Sequence, residues 1–252
     1  MAQPSQLGYS FEPRSDDIYI ATYPRSGTTL MQMMIYQLTS PGELTFQHAE
    51  DVMPFFEKAV RGKLDLSVLP SPRVFKTHLP YRIVSRQPGR YVYVSRSGKD
   101  VLISYFHFYR TYIDPRQTLP SFCDAFLAGK VQYGSWFRHV LDWAEHQNDC
   151  NTLFLRYEDL IRDLTGGVHR VTRFLDLQMS EEQHTRVLDR CQIGFMRQYE
   201  EKFKPVEETP RAPGSFIRQG ISGSHKDELS AEQQEQFDRV ASSFFAERGV
   251  TF

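Results

Sequence analysis

The sequence predicts an α/β fold in which a central parallel sheet is flanked by helices. Two observations predict it. Short apolar runs alternate with helical patterns along the chain, and a turn rich in Gly, Ser and Thr joins the first run, 17–22, to the first helix, 28–38. Strands that alternate with helices pair in parallel, because each helix returns the chain across the sheet. We therefore expect a single domain over 1–252, with a flexible leader over 1–16.

Composition limits the classes of function. A chain of 252 residues with 40% hydrophobic and 24% charged content can bury one full core. A net charge of −1 provides no field for binding a nucleic acid backbone. Three cysteines match no metal or redox spacing and suit a reducing compartment. No window approaches about 18 uncharged apolar residues, so we expect no membrane span and a cytoplasmic protein.

The remaining elements follow from β-branched and aromatic runs, capping residues and turn signals. A capping-box spacing from Ser97 to Asp100 predicts a helix that starts after the third strand. Further strands are predicted at 73–78, 90–95 and 152–156; further helices at 55–60, 119–128, 136–147, 158–175 and 230–247; and a long loop at 205–223.

The first strand-to-helix turn has the composition of a P-loop-like anion site. It carries Arg25, Ser26, Gly27, Thr28 and Thr29. A helix N-terminus offers unpaired N–H groups and the positive end of the helix dipole, glycine permits close approach, and the other side chains add hydroxyl donors and a cation. An ordinary N-capped turn is the alternative, which the later segments of the chain make less plausible.

A second cluster lies at the end of the second strand. Lys76 and His78 are two positions apart and so face the same side, and Leu79-Pro80 ends the strand there. Ligands of open α/β sheets bind outside the carboxyl ends of the strands. A lone strand histidine is usually structural, but a histidine beside a cation and near an anion loop is a candidate base.

Three more residues are candidate anion ligands. Arg96 ends the third strand, Ser104 lies in the following helix, and Arg218 lies in a glycine-spaced basic loop near the C-terminus. A guanidinium pairs well with phosphate oxygens. Each of these residues alone could be an ordinary surface residue.

Six segments in this order resemble motifs of the PAPS-dependent cytosolic sulfotransferase family, and the match spans almost the whole chain. They are Tyr23-Pro24-Arg25-Ser26-Gly27-Thr28-Thr29, Lys76-Thr77-His78-Leu79-Pro80, the segment 93–109, the segment 129–136, Tyr157-Glu158-Asp159-Leu160 and the segment 218–223.

The resemblance implies transfer of a sulfonate from PAPS to a hydroxyl of a small organic acceptor, with PAP as the product and no metal. It implies His78 as the general base, with Lys76 and Arg25 stabilising charge at the transferring group. The donor's 5′-phosphosulfate, 3′-phosphate and adenine would be held by Arg25, Ser26, Gly27, Thr28, Thr29, Arg96, Ser104, Arg218, Gln219, Gly220 and Tyr157.

Several positions depart from the family pattern. Arg25 replaces a lysine, Leu30 and Ile193 replace aromatic residues at the adenine, and Gln219 replaces a lysine. These changes predict weaker binding of adenine and 3′-phosphate more than a change of reaction. The dimer motif of the family is weakened at Ser230-Ala231, which predicts a monomer or a weak homodimer.

Aromatic side chains suggest a phenolic or alcohol acceptor, bound by Phe55, Phe56, Tyr81 and Phe108. Two alternatives stay open. A P-loop small-molecule kinase is disfavoured because no lysine lies between Gly27 and Thr28. A non-catalytic scaffold that binds PAP or another nucleotide is suggested by Leu30, Ile193 and Gln219.

Overall fold

The computed structural model describes residues 11–62, 64–206 and 209–248. Four parallel strands form one sheet in the order β2-β1-β3-β4, which confirms the predicted α/β class. The strands are β1 (Ile18–Thr22), β2 (Val74–Thr77), β3 (Arg90–Ser95) and β4 (Thr152–Arg156). All four lie within a residue of the ranges predicted from the apolar runs.

Helices cover the sheet. They are α1 (Thr28–Thr39), α2 (Phe56–Ala59), α3 (Tyr81–Val84), α4 (Gly98–Phe108), α5 (Leu119–Leu127), α6 (Trp136–Ala144), α7 (Tyr157–Arg162), α8 (Leu164–Phe174), α9 (Glu181–Arg190), α10 (Ile193–Gln198) and α11 (Ala231–Ala246). A π-helical turn, Tyr109–Ile113, continues α4, and short 3-10 segments occupy Ala49–Asp51, Glu200–Lys202 and Ser224–Asp227.

The sheet register brings three strand ends together. Ala21 of β1 pairs with Thr77 of β2 on one side and with Tyr93 of β3 on the other. The loops that leave β1, β2 and β3 therefore start side by side at one edge. This edge carries the turn from Arg25 to Thr29, His78 and Arg96.

Both faces of the sheet are buried, as a parallel sheet requires. On one face, Ile18 and Ile20 pack with the methionines of α1 and with α8. On the other face the strands present aromatic rings, including Tyr19 and Tyr93, and the Tyr93 ring stacks on Trp143 of α6 at 4.8 Å. Alternation of side chains along β1 thus divides its residues between two separate clusters.

Three local predictions are corrected by the structure. The segment 158–175 is two helices, α7 and α8, because Asp163 leaves helical geometry and its Oδ1 caps the Gly166 N–H at 2.8 Å. The capping box at Ser97 does not form, since the Asp100 carboxylate accepts the Gly223 N–H instead. Helices α9 and α10 lie in a segment where no helix was predicted.

The predicted leader falls largely outside the described residues. In its described part, the Phe11 ring contacts Phe56 and Phe75 edge to face, at 5.4 and 5.5 Å. Within the described ranges, none of the helices combines the length and the apolar character that crossing a bilayer requires.

A buried ion pair joins the start of β1 to the residue preceding β2. Asp17 is fully buried and accepts from Nε and Nη2 of Arg73 at 2.8 and 2.7 Å. We expect Asp17→Asn to lower the free energy of unfolding by about 3 kcal/mol, because it leaves a buried guanidinium without its counter-ion.

The control is Asp142→Asn, whose partner Arg82 has a side chain that is 70% exposed. Its cost should stay within about 1 kcal/mol, as for other surface pairs. Urea unfolding of both variants measures the difference. Equal losses would contradict a special role for the buried pair.

Candidate functional site

A cavity of about 790 Å³ opens at the carboxyl edge of the sheet. Most of the residues predicted to act on donor or acceptor line it together. These are Arg25, Gly27, Thr28, Thr29, Phe55, Lys76, His78, Arg96, Ser104, Phe108, Tyr157, Arg218, Gln219 and Gly220. Residues far apart in the sequence therefore meet in one continuous space.

The turn from Arg25 to Thr29 has the backbone geometry of an anion site. Gly27 has φ 107°, and a Cβ there would lie 2.8 Å from Cδ2 of Tyr157, so the position requires glycine. Gly27 is the N-cap of α1, no side chain caps this end of the helix, and Thr28 and Thr29 of its first turn line the cavity. Ser26 is buried behind the turn, and its Oγ finds no hydrogen-bond partner among the described residues. A turn with an unused buried hydroxyl and free helix amides fits a bound phosphosulfate.

Arg25 is partly buried and makes contacts that a lysine could not make together. Its Nε donates to Ser104 Oγ at 3.3 Å and its Nη2 donates to the Phe216 carbonyl at 2.7 Å. The guanidinium also lies over the rings of Phe108 and Phe216, at 5.5 and 4.8 Å. Burial, followed by the charge of Arg96, lowers the pKa of Arg25 to about 10, which leaves it cationic at neutral pH.

His78 follows β2 and is fixed in one tautomer. Its Nδ1 lies 2.8 Å from the carbonyl oxygen of Thr22, at the end of β1. A carbonyl only accepts, so Nδ1 carries the hydrogen and Nε2 keeps its lone pair. The imidazole lies between the rings of Phe55 and Tyr133, at 5.5 and 5.0 Å.

The environment keeps His78 neutral. Burial lowers the pKa of His78 to about 4; the hydrogen bond to Thr22 opposes this, while the charges of Lys76 and Arg25 contribute to it. The ammonium group of Lys76, two positions away in the sequence, would by itself disfavour the imidazolium. In the structure burial is the larger cause, and sequence spacing could not reveal it.

Lys76 is held by a carboxylate that the sequence analysis did not identify. Its Nζ lies 3.3 Å from Glu50 Oε1 and 4.1 Å from the centre of the Phe55 ring. Burial lowers the pKa of Lys76, and the Glu50 carboxylate partly offsets this. For Glu50, burial raises the pKa, but the Lys76 and Lys58 charges outweigh it and the net direction is down.

A second carboxyl group supports the backbone of His78. Glu57 Oε1 accepts the His78 N–H at 3.1 Å, and burial raises the pKa of Glu57. The His78 carbonyl lies 3.2 Å from Nε2 of His139. Both peptide groups of the histidine are thus fixed. Neither Glu50 nor Glu57 was predicted, because each acts through a contact that is distant in sequence.

The candidate 3′-phosphate ligands face the cavity with several of their donors already in use. Arg96 donates to the carbonyls of Arg25 and Ile221, at 3.1 and 3.0 Å, and lies 4.6 Å above the Tyr157 ring. Its buried Nε has no partner among the described residues. Arg218 Nη1 pairs with Glu228 Oε1 at 2.7 Å.

The candidate adenine region is aliphatic. Leu30, Leu160, Ile193 and Met196 line this end of the cavity together with the Tyr157 ring. Gly220 approaches it so closely that a Cβ there would meet Cδ1 of Ile193 at 2.2 Å. Leu30 and Ile193 thus line the same cavity as aliphatic side chains, where the resemblance implies aromatic residues.

Two residues predicted to contact the acceptor lie elsewhere. Phe56 points to the opposite side from Phe55 and packs edge to face on Tyr19 at 5.4 Å. Tyr81 stacks on His146 at 3.7 Å and donates to Asp149 Oδ2 at 2.6 Å. Neither lines the cavity, so this part of the expectation is corrected: both belong to the packing on the aromatic face of the sheet.

Comparison with known proteins agrees with this geometry. A family model described as the sulfotransferase domain matches residues 15–248. The amine sulfotransferase of Oryctolagus cuniculus is 34% identical over 244 residues, which cover 91% of this chain and 81% of that protein. Sulfotransferase 4A1 of Mus musculus is 32% identical over 251 residues, covering 96% and 84%.

Among solved structures, mouse sulfotransferase SULT7A1 complexed with PAP is similar, with a TM-score of 0.76 and 28% identity over 94% of this chain and 86% of that one. PAP is the product left when PAPS gives up its sulfonate. The chain therefore belongs to the cytosolic-type sulfotransferase family, whose sulfonate donor is PAPS.

Proposed function

We propose that this enzyme transfers the sulfonate of PAPS to a hydroxyl of a small organic acceptor, with His78 as the general base. The observation that carries the proposal is the neutral imidazole, whose Nδ1 hydrogen bonds to the Thr22 carbonyl while Nε2 keeps its lone pair. A base needs a free lone pair at working pH, and this arrangement supplies one.

His78 Nε2 takes the hydroxyl proton while the acceptor oxygen forms its bond to sulfur. The bond between sulfur and the bridging phosphate oxygen breaks, and its electron pair goes to that oxygen. PAPS, when bound, supplies the activated sulfonate. Lys76, which is buried and ion-paired with Glu50, and the partly buried Arg25 both line the cavity. Their positive charges stabilise the charge that develops on the sulfonate and on the leaving oxygen.

The donor is held at its two ends by different elements. The turn from Arg25 to Thr29 and the start of α1 bind the 5′-phosphosulfate. Arg96, Ser104, Arg218 and the neighbouring Gln219 and Gly220 bind the 3′-phosphate, and Tyr157 lies beside the adenine. Their common position around one cavity supports this assignment.

The acceptor occupies the region near Phe55 and Phe108, where Tyr133 is a further aromatic neighbour of His78. Aromatic walls around a base favour a phenolic or other apolar alcohol. A second candidate acceptor is an amine. It is favoured by the 34% identity to an amine sulfotransferase and by Glu50 and Glu57 lining this region.

A scaffold that binds PAP without catalysis is the competing hypothesis. Incubation with labelled PAPS and a panel of phenols, alcohols and amines distinguishes the two, because only an enzyme labels an acceptor. We further propose a cytoplasmic protein that is a monomer or a weak homodimer.

We expect His78→Ala to lower turnover by roughly 10²- to 10⁴-fold, the usual contribution of a positioned general base. PAP affinity should change little, because His78 contacts the acceptor proton and not the nucleotide. Initial rates with a reactive phenol and calorimetry with PAP measure the two effects separately.

The matched control is His169→Ala, which removes an exposed histidine from α8. It should leave both quantities unchanged. Near-normal turnover of His78→Ala would remove the residue from the mechanism, and loss of PAP binding would make its role structural.

We expect Leu30→Trp to tighten PAP binding by up to about tenfold, since an offset aromatic contact contributes roughly 0.5–1.5 kcal/mol. The gain requires the base, so a ribose carrying both phosphates without adenine should bind the variant and the wild type equally. If calorimetry finds tight wild-type binding that Leu30→Trp does not change, at an unchanged melting temperature, another residue covers the adenine.

A further inference from the structure

We infer that Glu228 weakens the recognition of the donor's 3′-phosphate and so limits how strongly this enzyme prefers a 3′-phosphorylated nucleotide. The inference rests on the proposed function, in which Arg218 binds that phosphate. It concerns a carboxylate that the sequence analysis did not single out.

Glu228 follows the 3-10 segment Ser224–Asp227 and accepts from two elements at once. Oε1 pairs with Arg218 Nη1 at 2.7 Å, and Oε2 lies 2.5 Å from Nε2 of His107, in the last turn of α4. The carboxylate therefore bridges α4 and the loop that carries Arg218. Its side chain is 26% exposed, so solvent only partly screens its charge.

The pairing alters what Arg218 offers to a phosphate. One Nη donates to the carboxylate, and the other lies 3.4 Å from Ser224 Oγ. The charges of Arg218 and Glu228 cancel, so a dianionic phosphate that arrives here meets an ion pair rather than a free cation. It must compete for the guanidinium and also approach a negative charge.

The neighbouring candidate ligands do not replace the hydrogen-bond donor that Arg218 gives to Glu228. Gln219 is neutral, Ser104 already accepts from Arg25, and both Nη atoms of Arg96 donate to backbone carbonyls. Arg25 and Arg96 keep their charge, but most of their donors are already in use, so few donors are available to a phosphate at this end of the cavity. Glu228 has a correspondingly large influence because it takes one of the donors of Arg218.

A second carboxylate in the same region has a different role. Asp100 is fully buried and accepts the N–H groups of Gly223 and His225 at 2.8 and 3.1 Å. It fixes the backbone of the turn before Glu228. Asp100 thus serves the fold, whereas Glu228 directly engages the cation proposed to bind phosphate.

The test measures the affinity of PAP and of adenosine 5′-monophosphate, which lacks the 3′-phosphate, by calorimetry at low salt. We expect Glu228→Gln to tighten PAP binding by about three- to tenfold and to leave the monophosphate within about twofold. Glu228→Ala should also tighten PAP binding. This second variant is needed because the glutamine side chain of Glu228→Gln could still accept a hydrogen bond from Arg218.

Asp238→Asn is the control. It removes one negative charge from α11, where the carboxylate pairs with Lys99 at 2.7 Å, and neither partner lines the cavity. Both ligands should bind this variant as they bind the wild type. If Asp238→Asn changes PAP affinity as much as Glu228→Gln does, the effect comes from the net charge of the protein, and the inference is overturned.

Two other results would also overturn the inference. Unchanged PAP binding by the Glu228 variants would mean that the carboxylate does not affect the phosphate site, and weaker PAP binding would mean that the carboxylate orients Arg218 for the phosphate. A wild type that binds neither PAP nor the monophosphate contradicts the proposed function itself. That outcome is distinct, since failure of the inference alone leaves PAP bound to the wild type.

Discussion

The hydrogen bond from His78 Nδ1 to the Thr22 carbonyl is the interaction on which the site depends. It joins the carboxyl ends of β1 and β2, so the same contact that follows from strand pairing also selects the tautomer of the imidazole. The Glu57 carboxyl and His139 hold the backbone of the histidine from either side. The position of the imidazole that we propose as the base is therefore coupled to the geometry of the sheet, and displacement of either strand would move it.

The cations at the cavity are accompanied by acceptors from distant segments. Lys76 has Glu50, Arg25 has the Phe216 carbonyl and Ser104, and Arg218 has Glu228. Several buried cations close together would repel one another and carry a large desolvation cost without such partners. If these cations bind the donor as we propose, the same partners compete with the incoming anion, and the arrangement that stabilises the free protein also affects the affinity for the donor.

Much of the fold and of the site could be predicted from local patterns. Each strand is rich in apolar, β-branched or aromatic residues. The turn from Arg25 to Thr29 and His78 come just after such strands, and Lys76 lies near the end of β2. The limits are equally physical. The sequence around Phe55 and Phe56 has no periodic pattern that indicates which ring faces the cavity. The spacing of Ser97 and Asp100 fits a capping box, and nothing in that spacing shows that a distant loop donates to the Asp100 carboxylate instead. Glu50, Glu57 and Glu228 act through tertiary contacts that leave no local pattern.

The most direct test of this account is the protonation state of His78 in the folded, nucleotide-free protein. Nitrogen-15 NMR of the imidazole, assigned by comparison with His78→Ala, reports both the tautomer and the pKa. The account predicts a neutral ring with its hydrogen on Nδ1 and no titration between about pH 5.5 and pH 8, because burial lowers the pKa to about 4. A hydrogen on Nε2, or an imidazolium that titrates near neutral pH, would contradict it.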